Sequence, residues 1–433
     1  GGEAGGAAGG QVGIGRDEMT TFAPSPLNRR QDLLLWWSAA AVSVTALLLA
    51  VWLLPRPVDH WPIPDLQVYR EGVELLTAGG NPYSARLGIG QLPYTYPPFS
   101  LLVFLPLAVW VPKLQVIAVV NTLLLAMVIW AVLRSYPQTD RRTTAGLTAS
   151  QAMIGSTILL GAQTLEPITN TTRFGQVNVV LMAMVVVDML VVNPRWRGIL
   201  TGLAAMVKLT PLAFLAFPLW LRERSAARNL IGTSAVCLIL SIVIMPRSTF
   251  WYFTDGMLAQ DRPGATYPGL SLNQSLRGLS LRLVHPGALQ QDQSMPTTTV
   301  NVVWLALVLL VIGLLLLALR GLDTKVDRAL ALGYIATAGL LVSPISWPHH
   351  WVWVVPLAAA TVSSVRRFPL VAGAVGLMVV SMVGNPWFNG HWYEAVTLSP
   401  TAALLVLNPY VGSGLLVLAA GAWYGRRRRV DGD

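Results

Sequence analysis

Residues 33–54 read LLLWWSAAAVSVTALLLAVWLL, and after a short polar interval the chain continues Asp65-Leu-Gln-Val-Tyr69-Arg70-Glu71. The first stretch contains no charge and has the length that a membrane-crossing helix needs. The second puts an acid in the first loop after that helix. A carboxylate at the rim of a helix bundle, followed by Asn81-Pro82-Tyr83 and by Tyr94-Thr-Tyr96-Pro97-Pro98-Phe99, has the makings of an active site.

The rest of the 433-residue chain repeats the first pattern. Hydrophobic residues make up 54% and charged residues 12%, and the mean hydropathy is +0.57. Apolar stretches recur near 114–133, 143–163, 176–193, 229–246, 299–319, 329–343, 351–364, 368–384 and 400–424, which predicts an all-α polytopic membrane protein. Residues 1–28, rich in Gly and Ala and then in Pro and Ser, lack the apolar content to order themselves and are expected to be a disordered N-terminal segment, with Met19 a candidate start. Residues 29–433 then form one transmembrane domain. The 33–54 run has no small-residue cleavage site after it and is expected to stay as the first helix.

Orientation follows from the basic residues, which are retained on the cytoplasmic side. Arg29/Arg30, Arg134/Arg141/Arg142, Arg195/Arg197, Arg222/Arg224/Arg228, Arg320/Lys325/Arg328, Arg366/Arg367 and Arg426 to Arg429 fall in short segments at every second turn. Both termini are therefore placed inside, and the outer loops are 55–97, 164–175, 247–298, 344–350 and 385–398. Two stretches break the simple alternation. Residues 98–111 read as an interfacial or half-embedded helix ending at Pro112. Residues 198–220 lie between two basic clusters, so they must enter and return, bending at Lys208-Leu-Thr210-Pro211, where proline ends a helix. Irregular backbone at that depth requires a cover of protein or a wet cavity. Counting the hairpin as two halves gives about 12 membrane helical segments.

The net charge of +10 and the pI near 10.1 do not point to nucleic acid, because the basic residues are dispersed over helix ends; topology and anionic headgroups account for them. The single cysteine, Cys237, lies mid-span and excludes an intrachain disulfide.

On this topology every histidine, His60, His285, His349, His350 and His391, falls outside. So do Phe174-Gly175-Gln176-Val177-Asn178, Ser271-Leu-Asn273-Gln274-Ser275 and Ser343-Pro344-Ile-Ser346-Trp347-Pro348-His349-His350. Chemistry on the outer face cannot draw on cytoplasmic nucleotides, and no phosphate-binding glycine loop is present. A lipid-carried activated sugar is the natural donor. Its transfer needs a base for the attacking hydroxyl, positive charge or donors for the departing phosphate, and aromatic surfaces for sugar and isoprenoid.

The motifs around Asp65, Tyr96-Pro97-Pro98-Phe99, Phe174 to Asn178, Lys208 to Pro211, Asn273-Gln274-Ser275 and Trp347 to His350 together resemble the actinobacterial polyprenyl-phosphate-mannose-dependent mannosyltransferases of the GT-C glycosyltransferase fold. The resemblance runs from about residue 33 to 424. It implies an inverting α-1,2 transfer of mannose from polyprenyl-phosphate mannose to a phosphatidylinositol mannoside, tetramannoside to pentamannoside, in the outer leaflet of the plasma membrane. Asp65 is then the base, by family analogy. Siblings of the same fold that branch lipomannan or transfer arabinofuranose are the nearest alternatives, and a polyprenol-lipid flippase is the alternative outside enzymes.

Candidate roles divide accordingly. Asp65 fits the base and equally fits a cap on a helix beginning at Leu66. Lys208 is the first candidate to meet phosphate, against a lysine snorkelling to headgroups; a membrane ammonium is expected to have an anionic partner. His349 and His350 are expected as donors to phosphate or sugar, beside Trp347. Tyr69, one helical turn from Asp65, is expected to face the same cavity. Tyr94 and Tyr96 suit sugar stacking or interfacial anchoring, Gln176 and Asn178 suit sugar hydroxyls or helix-to-helix glue, and Asn273 and Gln274 are expected to bind substrate from a short helix near 270–284. No metal and no cofactor are expected to be required, since cationic side chains suffice for a monophosphate leaving group.

Overall fold

The computed structural model describes residues 29–55, 62–136, 147–258, 272–284, 297–383 and 407–430. The expected N-terminal segment 1–28, His60, His285, His391, Ser271 and the whole of the outer loop 385–398 lie outside these residues.

The first apolar run forms α1 (Arg29–Trp52). Its buried residues are the small Ala39, Ala46 and Ala50, while Trp37, Leu48 and Trp52 stand exposed. Small residues let helix backbones approach without a hydrophobic drive, and here the small stripe of α1 meets α5 (Ala149–Ala162), with Ser43 and Ser156 hydroxyls 2.9 Å apart. Helix α4 (Leu114–Ser135) packs against both α1 and α5, and Gly155 of α5 lies against its Ile129 and Leu133.

Between α1 and α4 the first outer loop is folded. It carries α2 (Pro64–Thr77), a two-residue antiparallel hairpin of β1 (Arg86–Leu87) with β2 (Leu92–Pro93), and α3 (Phe99–Val103) followed by a 3₁₀ turn Leu105–Ala108. Among the described residues that hairpin, with an isolated antiparallel bridge between Leu165 and Val383, departs from an all-α chain. The expected break before Lys113 is present: the helical turn ends at Ala108 and α4 starts at Leu114.

The stretch expected as outer loop 164–175 is instead helical. Here α6 (Glu166–Phe174) joins α7 (Asn178–Leu190) with a bend of 116°. The expected hairpin follows as α8 (Ile199–Val207), Lys208 in extended conformation, a 3₁₀ turn Thr210–Leu215 and α9 (Ala216–Leu221). Nine residues of α8 rise about 14 Å, roughly half a hydrocarbon core. The start of α8 lacks a side-chain cap of its own; Asp188 of α7 supplies one, accepting from Gly198 N, Thr201 N and Thr201 Oγ1 at 2.7–3.0 Å.

The remaining helices are α10 (Arg224–Ile244), α11 (Pro246–Thr254), α12 (Leu276–Val284), α13 (Thr297–Arg320), α14 (Arg328–Val342), α15 (Val354–Ser364) behind a 3₁₀ turn Pro348–Trp353, α16 (Pro369–Met382) and α17 (Pro409–Val430). Among the described residues four helices, α1, α4, α10 and α13, are long and apolar enough to cross a membrane, or five if α6 and α7 count as one bent span. The α5, α14 and α16 helices are apolar and shorter. Exposed apolar residues such as Leu219, Val243, Val302 and Leu309 cover faces with no protein against them, as a lipid solvent requires. Four of the basic clusters meet through ion pairs: Glu223 lies between Arg197 and Arg328, and buried Asp327 takes two bonds from Arg367 at 2.8 and 3.0 Å.

Candidate active site

Helix α2 begins at Ile63-Pro64-Asp65. Pro64 fits the first helical position, where no backbone N–H is needed, and Ile63 takes a left-handed φ of 43° as the residue before it. No side chain caps this helix, so the capping role open to Asp65 is not the one it takes. Its half-buried carboxylate accepts a hydrogen bond from Gln176 and feels the charge of Lys208. Burial pushes the carboxyl up to about 6, against those two influences.

Gln176 reaches Asp65 because of the glycine before it. Gly175 ends α6 at φ +69°, the left-handed conformation that suits glycine. Its α-carbon faces the start of α2 so closely that an added Cβ would lie 2.6 Å from Ile63 Cγ2 and 2.8 Å from Leu66 Cβ. The Phe-Gly-Gln sequence thus closes one helix and docks its end onto the helix that carries the acid.

Tyr69, one turn along α2, and Tyr96, before the double proline, meet at the same glutamine. The two hydroxyls are 2.7 Å apart, and Gln176 Oε1 lies 3.0 Å from the first and 2.9 Å from the second. Tyr69 stacks on Phe104 at 4.5 Å, and the Tyr83 hydroxyl donates to the Tyr96 carbonyl. Burial pushes both phenols of the pair up, so they keep their protons.

Lys208 arrives from the hairpin bend. Its Nζ donates to Asn178 Oδ1 at 2.9 Å, lies 3.2 Å from His350 Nε2, and stands 5.5 Å from the centre of the Tyr96 ring. The expected anionic partner is not a direct contact: both close partners are neutral acceptors, and Asp65 acts on it through space. An ammonium has three N–H donors; two are used here.

The histidine turn is locked from behind. The His349 carbonyl accepts from Thr171 Oγ1 at 3.0 Å and from Asn178 Nδ2 at 2.8 Å, and its ring meets Phe174 edge-on at 5.6 Å. Burial and the Lys208 charge lower both imidazoles, His349 to about 3 and His350 well below the ordinary value. His350 also has a hydrogen bond to the Ile345 backbone. With Nε2 facing an ammonium, the proton of this ring belongs on the other nitrogen, so His350 serves as an acceptor for Lys208 rather than as the expected phosphate donor.

Asn273 and Gln274 take a different position from the one their polarity suggested. Both are fully buried. Asn273 Oδ1 accepts from Ser346 N and its Nδ2 donates to the Pro344 carbonyl; Gln274 Nε2 donates to the Leu407 carbonyl and its Oε1 accepts from Tyr410 N. Asn273 staples the 344–350 turn and Gln274 the start of the last helix at 407–410, and both amides are committed to backbone partners. Tyr94 likewise packs inward, its hydroxyl 2.6 Å from Ser100 Oγ and its ring against Gly72 and Tyr83. Trp347 is half-buried and begins the 3₁₀ turn, its carbonyl accepting from His350 N. The structure therefore joins Asp65, Tyr69, Tyr96, Gln176, Asn178, Lys208 and His350 in one contiguous cluster, with His349 beside it.

One carboxylate escaped the sequence reading. Glu166, at the first position of α6, is buried and accepts from the Tyr410 hydroxyl and from Asn170 Nδ2; burial pushes it up to about 7. Nothing around it marks it in the sequence, where Glu166-Pro-Ile-Thr-Asn reads as a polar loop.

A family model described as glycosyltransferase family 87 matches residues 94–344. A polyprenol-phosphate-mannose-dependent α-(1-2)-phosphatidylinositol mannoside mannosyltransferase of Mycobacterium tuberculosis is 33% identical over 77% of this chain and 76% of its own length. A polyprenol-phosphate-mannose-dependent α-(1-2)-phosphatidylinositol pentamannoside mannosyltransferase of the same species is 32% identical over 85% of this chain and 80% of its own. The crystal structure of ArnT from Cupriavidus metallidurans bound to undecaprenyl phosphate aligns over 94% of this chain and 79% of that one with 16% identity and a TM-score of 0.41, a level at which no detail transfers. A helical membrane architecture, a model match over more than half the chain and relatives above 30% identity across most of their length lead to one assignment: the protein is a member of glycosyltransferase family 87.

Proposed function

We propose that this protein is an inverting membrane mannosyltransferase that moves mannose from polyprenyl-phosphate mannose to a phosphatidylinositol mannoside in α-1,2 linkage, on the periplasmic side of the plasma membrane, with the tetramannoside as acceptor and the pentamannoside as product. In this reading about 12 helical segments of a GT-C fold cross or enter the membrane, both termini are cytoplasmic, and the outer loops carry the site. The observation that supports it most is the convergence of one acid and one ammonium from separate elements: Asp65 from the first outer loop and Lys208 from a hairpin bend, linked through Gln176, Tyr96 and Asn178.

Asp65 takes the proton of the attacking acceptor hydroxyl as the new C1–O bond forms. The bond from C1 to the phosphate oxygen breaks on the opposite face, and its electron pair leaves with polyprenyl phosphate. The β linkage of the donor becomes α. A phosphate needs charge rather than a second carboxylic acid to depart, unlike the alcohol leaving group of a glycosidase. The remaining N–H of Lys208 supplies that charge, and the neutral acceptors Asn178 and His350 aim it without cancelling it.

The test uses the purified full chain with radiolabelled polyprenyl-phosphate mannose and phosphatidylinositol mannosides of increasing length, beside an arabinofuranose donor. One slower-migrating mannolipid is expected, and Asp65→Asn is expected to abolish it while the protein stays folded. Near-normal turnover by Asp65→Asn places the base elsewhere, and labelled lipid that crosses vesicles unconsumed makes the protein a transporter.

A further inference from the structure

Gln176 lies between the acid and two phenols, and counting its protons fixes its orientation. Its side chain is almost wholly buried, as are those of Tyr69 and Tyr96. A phenol carries one proton and an amide oxygen two lone pairs. Three O···O separations of 2.7, 3.0 and 2.9 Å join Tyr69, Tyr96 and Gln176 Oε1. Whichever phenol donates to the other, the chain of protons ends on Oε1 and every proton is used. Were the amide turned over, one phenol proton would lose its acceptor, and Oε1 would confront the Asp65 carboxylate. A buried donor without a partner and two facing oxygens are both unfavourable.

We infer that Gln176 is the positioning residue of Asp65: the Tyr69 and Tyr96 hydroxyls claim its Oε1, and this forces its N–H groups onto the acid and holds the carboxylate in one orientation toward the acceptor hydroxyl. The inference rests on Asp65 being the base. Neighbouring groups fit it: Gly175 docks the glutamine onto α2, Phe104 stacks Tyr69 in place, and the Tyr96 carbonyl is held by Tyr83. The hydrogen bond also keeps the half-buried carboxyl from rising further, as does the Lys208 charge. Lys208 is the charged group that acts on the acid, the Tyr69 and Tyr96 phenols are the titratable groups beside it, and the neutral His350 and His349 stand behind Lys208.

The experiment compares the full chain in detergent as wild type, Gln176→Leu and the double variant Tyr69→Phe/Tyr96→Phe. Two readouts are taken: the pH profile of mannosyl transfer with separate kcat and KM, and the infrared titration of the Asp65 carboxyl, identified by the band that Asp65→Asn removes. Gln176→Leu is expected to lower kcat about tenfold or more, to leave both KM values within about twofold, and to raise the acidic limb and the infrared midpoint by about one pH unit, the size of one lost hydrogen bond to a charged group. The double variant is expected to move the midpoint in the same direction while Gln176 is still present. An unmoved midpoint in Gln176→Leu, or a KM raised about tenfold with kcat retained, overturns the positioning role. A double variant that titrates as wild type overturns the lock on the amide. Should Gln176→Leu fail to fold, the phenylalanine pair carries the test. Should wild type form no mannolipid, the function proposed above fails, and the infrared midpoints still decide the role of Gln176.

Discussion

Replacing Gly175 by alanine tests whether the docking of α6 onto α2 sets the chemistry. The substitution adds one methyl group, and it does so at φ +69°, where an L-residue costs roughly 1–2 kcal/mol. The new Cβ would fall 2.6 Å from Ile63 Cγ2 and 2.8 Å from Leu66 Cβ. Ile63 can move its Cγ2 methyl by turning about χ1. Leu66 Cβ is fixed to the helix backbone one residue after Asp65, so reaching ordinary contact at 3.4 Å moves the start of α2 by about 0.6 Å relative to Gln176. A misplacement near 1 Å costs about a hundredfold in rate, which sets the expected loss of kcat between about tenfold and a hundredfold. The global penalty is small beside the stability of a chain this size, so a single elution peak in detergent and a melting temperature lowered by only a few degrees are expected. Mannosyl transfer under saturating donor, measured beside thermal unfolding, separates the two effects. Full kcat in a folded Gly175→Ala protein would refute the claim that this contact places the acid.

The Asp65 carboxyl stands at about 6, and only its ionised form accepts a proton, so kcat/KM is expected to fall as pH drops through 6, with about a tenth of the rate left at pH 5; a rate flat to pH 5 would contradict this. For stability the sign reverses. A carboxyl raised in the fold contributes fully below its ordinary value of 3.8, and that contribution is lost as pH rises through about 6, which a thermal-shift series checks against Asp65→Asn. Asp188→Leu removes the acceptor for Gly198 N, Thr201 N and Thr201 Oγ1; at about 1–3 kcal/mol per orphaned group the hairpin should destabilise by about 3 kcal/mol or more, with the acidic limb of the rate unmoved. Transfer is expected to persist in excess chelator, because Lys208 supplies the charge for the phosphate; activity lost there and restored by Mn²⁺ or Mg²⁺ would show a metal requirement.

Much of the fold was legible in the chain because a membrane imposes one rule, internal satisfaction of backbone hydrogen bonds, that reduces folding to helix placement. The run from 33 to 54 became α1, and proline at Pro211 with basic clusters on either side forecast the bend at Lys208. The helical nature of 166–174 was not legible, since Glu-Pro-Ile-Thr-Asn-Thr-Thr reads as a polar loop. It is helical because its apolar side, with Ile168, packs into the core and its C-terminal end is closed by Gly175. Asn273 and Gln274 misled because a buried amide that staples a turn and an exposed amide that binds sugar are the same residue in a sequence. Only their partners distinguish them.

The amino-acid order determined the solvent, the hairpin, the general course of the helices and which residue types were available for chemistry, since each of these follows from apolar length, charge placement and local backbone preference. Which polar groups meet was decided by tertiary structure. Asp65, Gln176, Lys208 and His350 are separated by more than a hundred positions in places, and nothing local specifies that a left-handed glycine will set one helix end against another, or that a lysine will spend two of its protons on neutral acceptors. Hydrogen-bond direction, and with it the division between groups that act and groups that hold, is a property of packed partners in three dimensions.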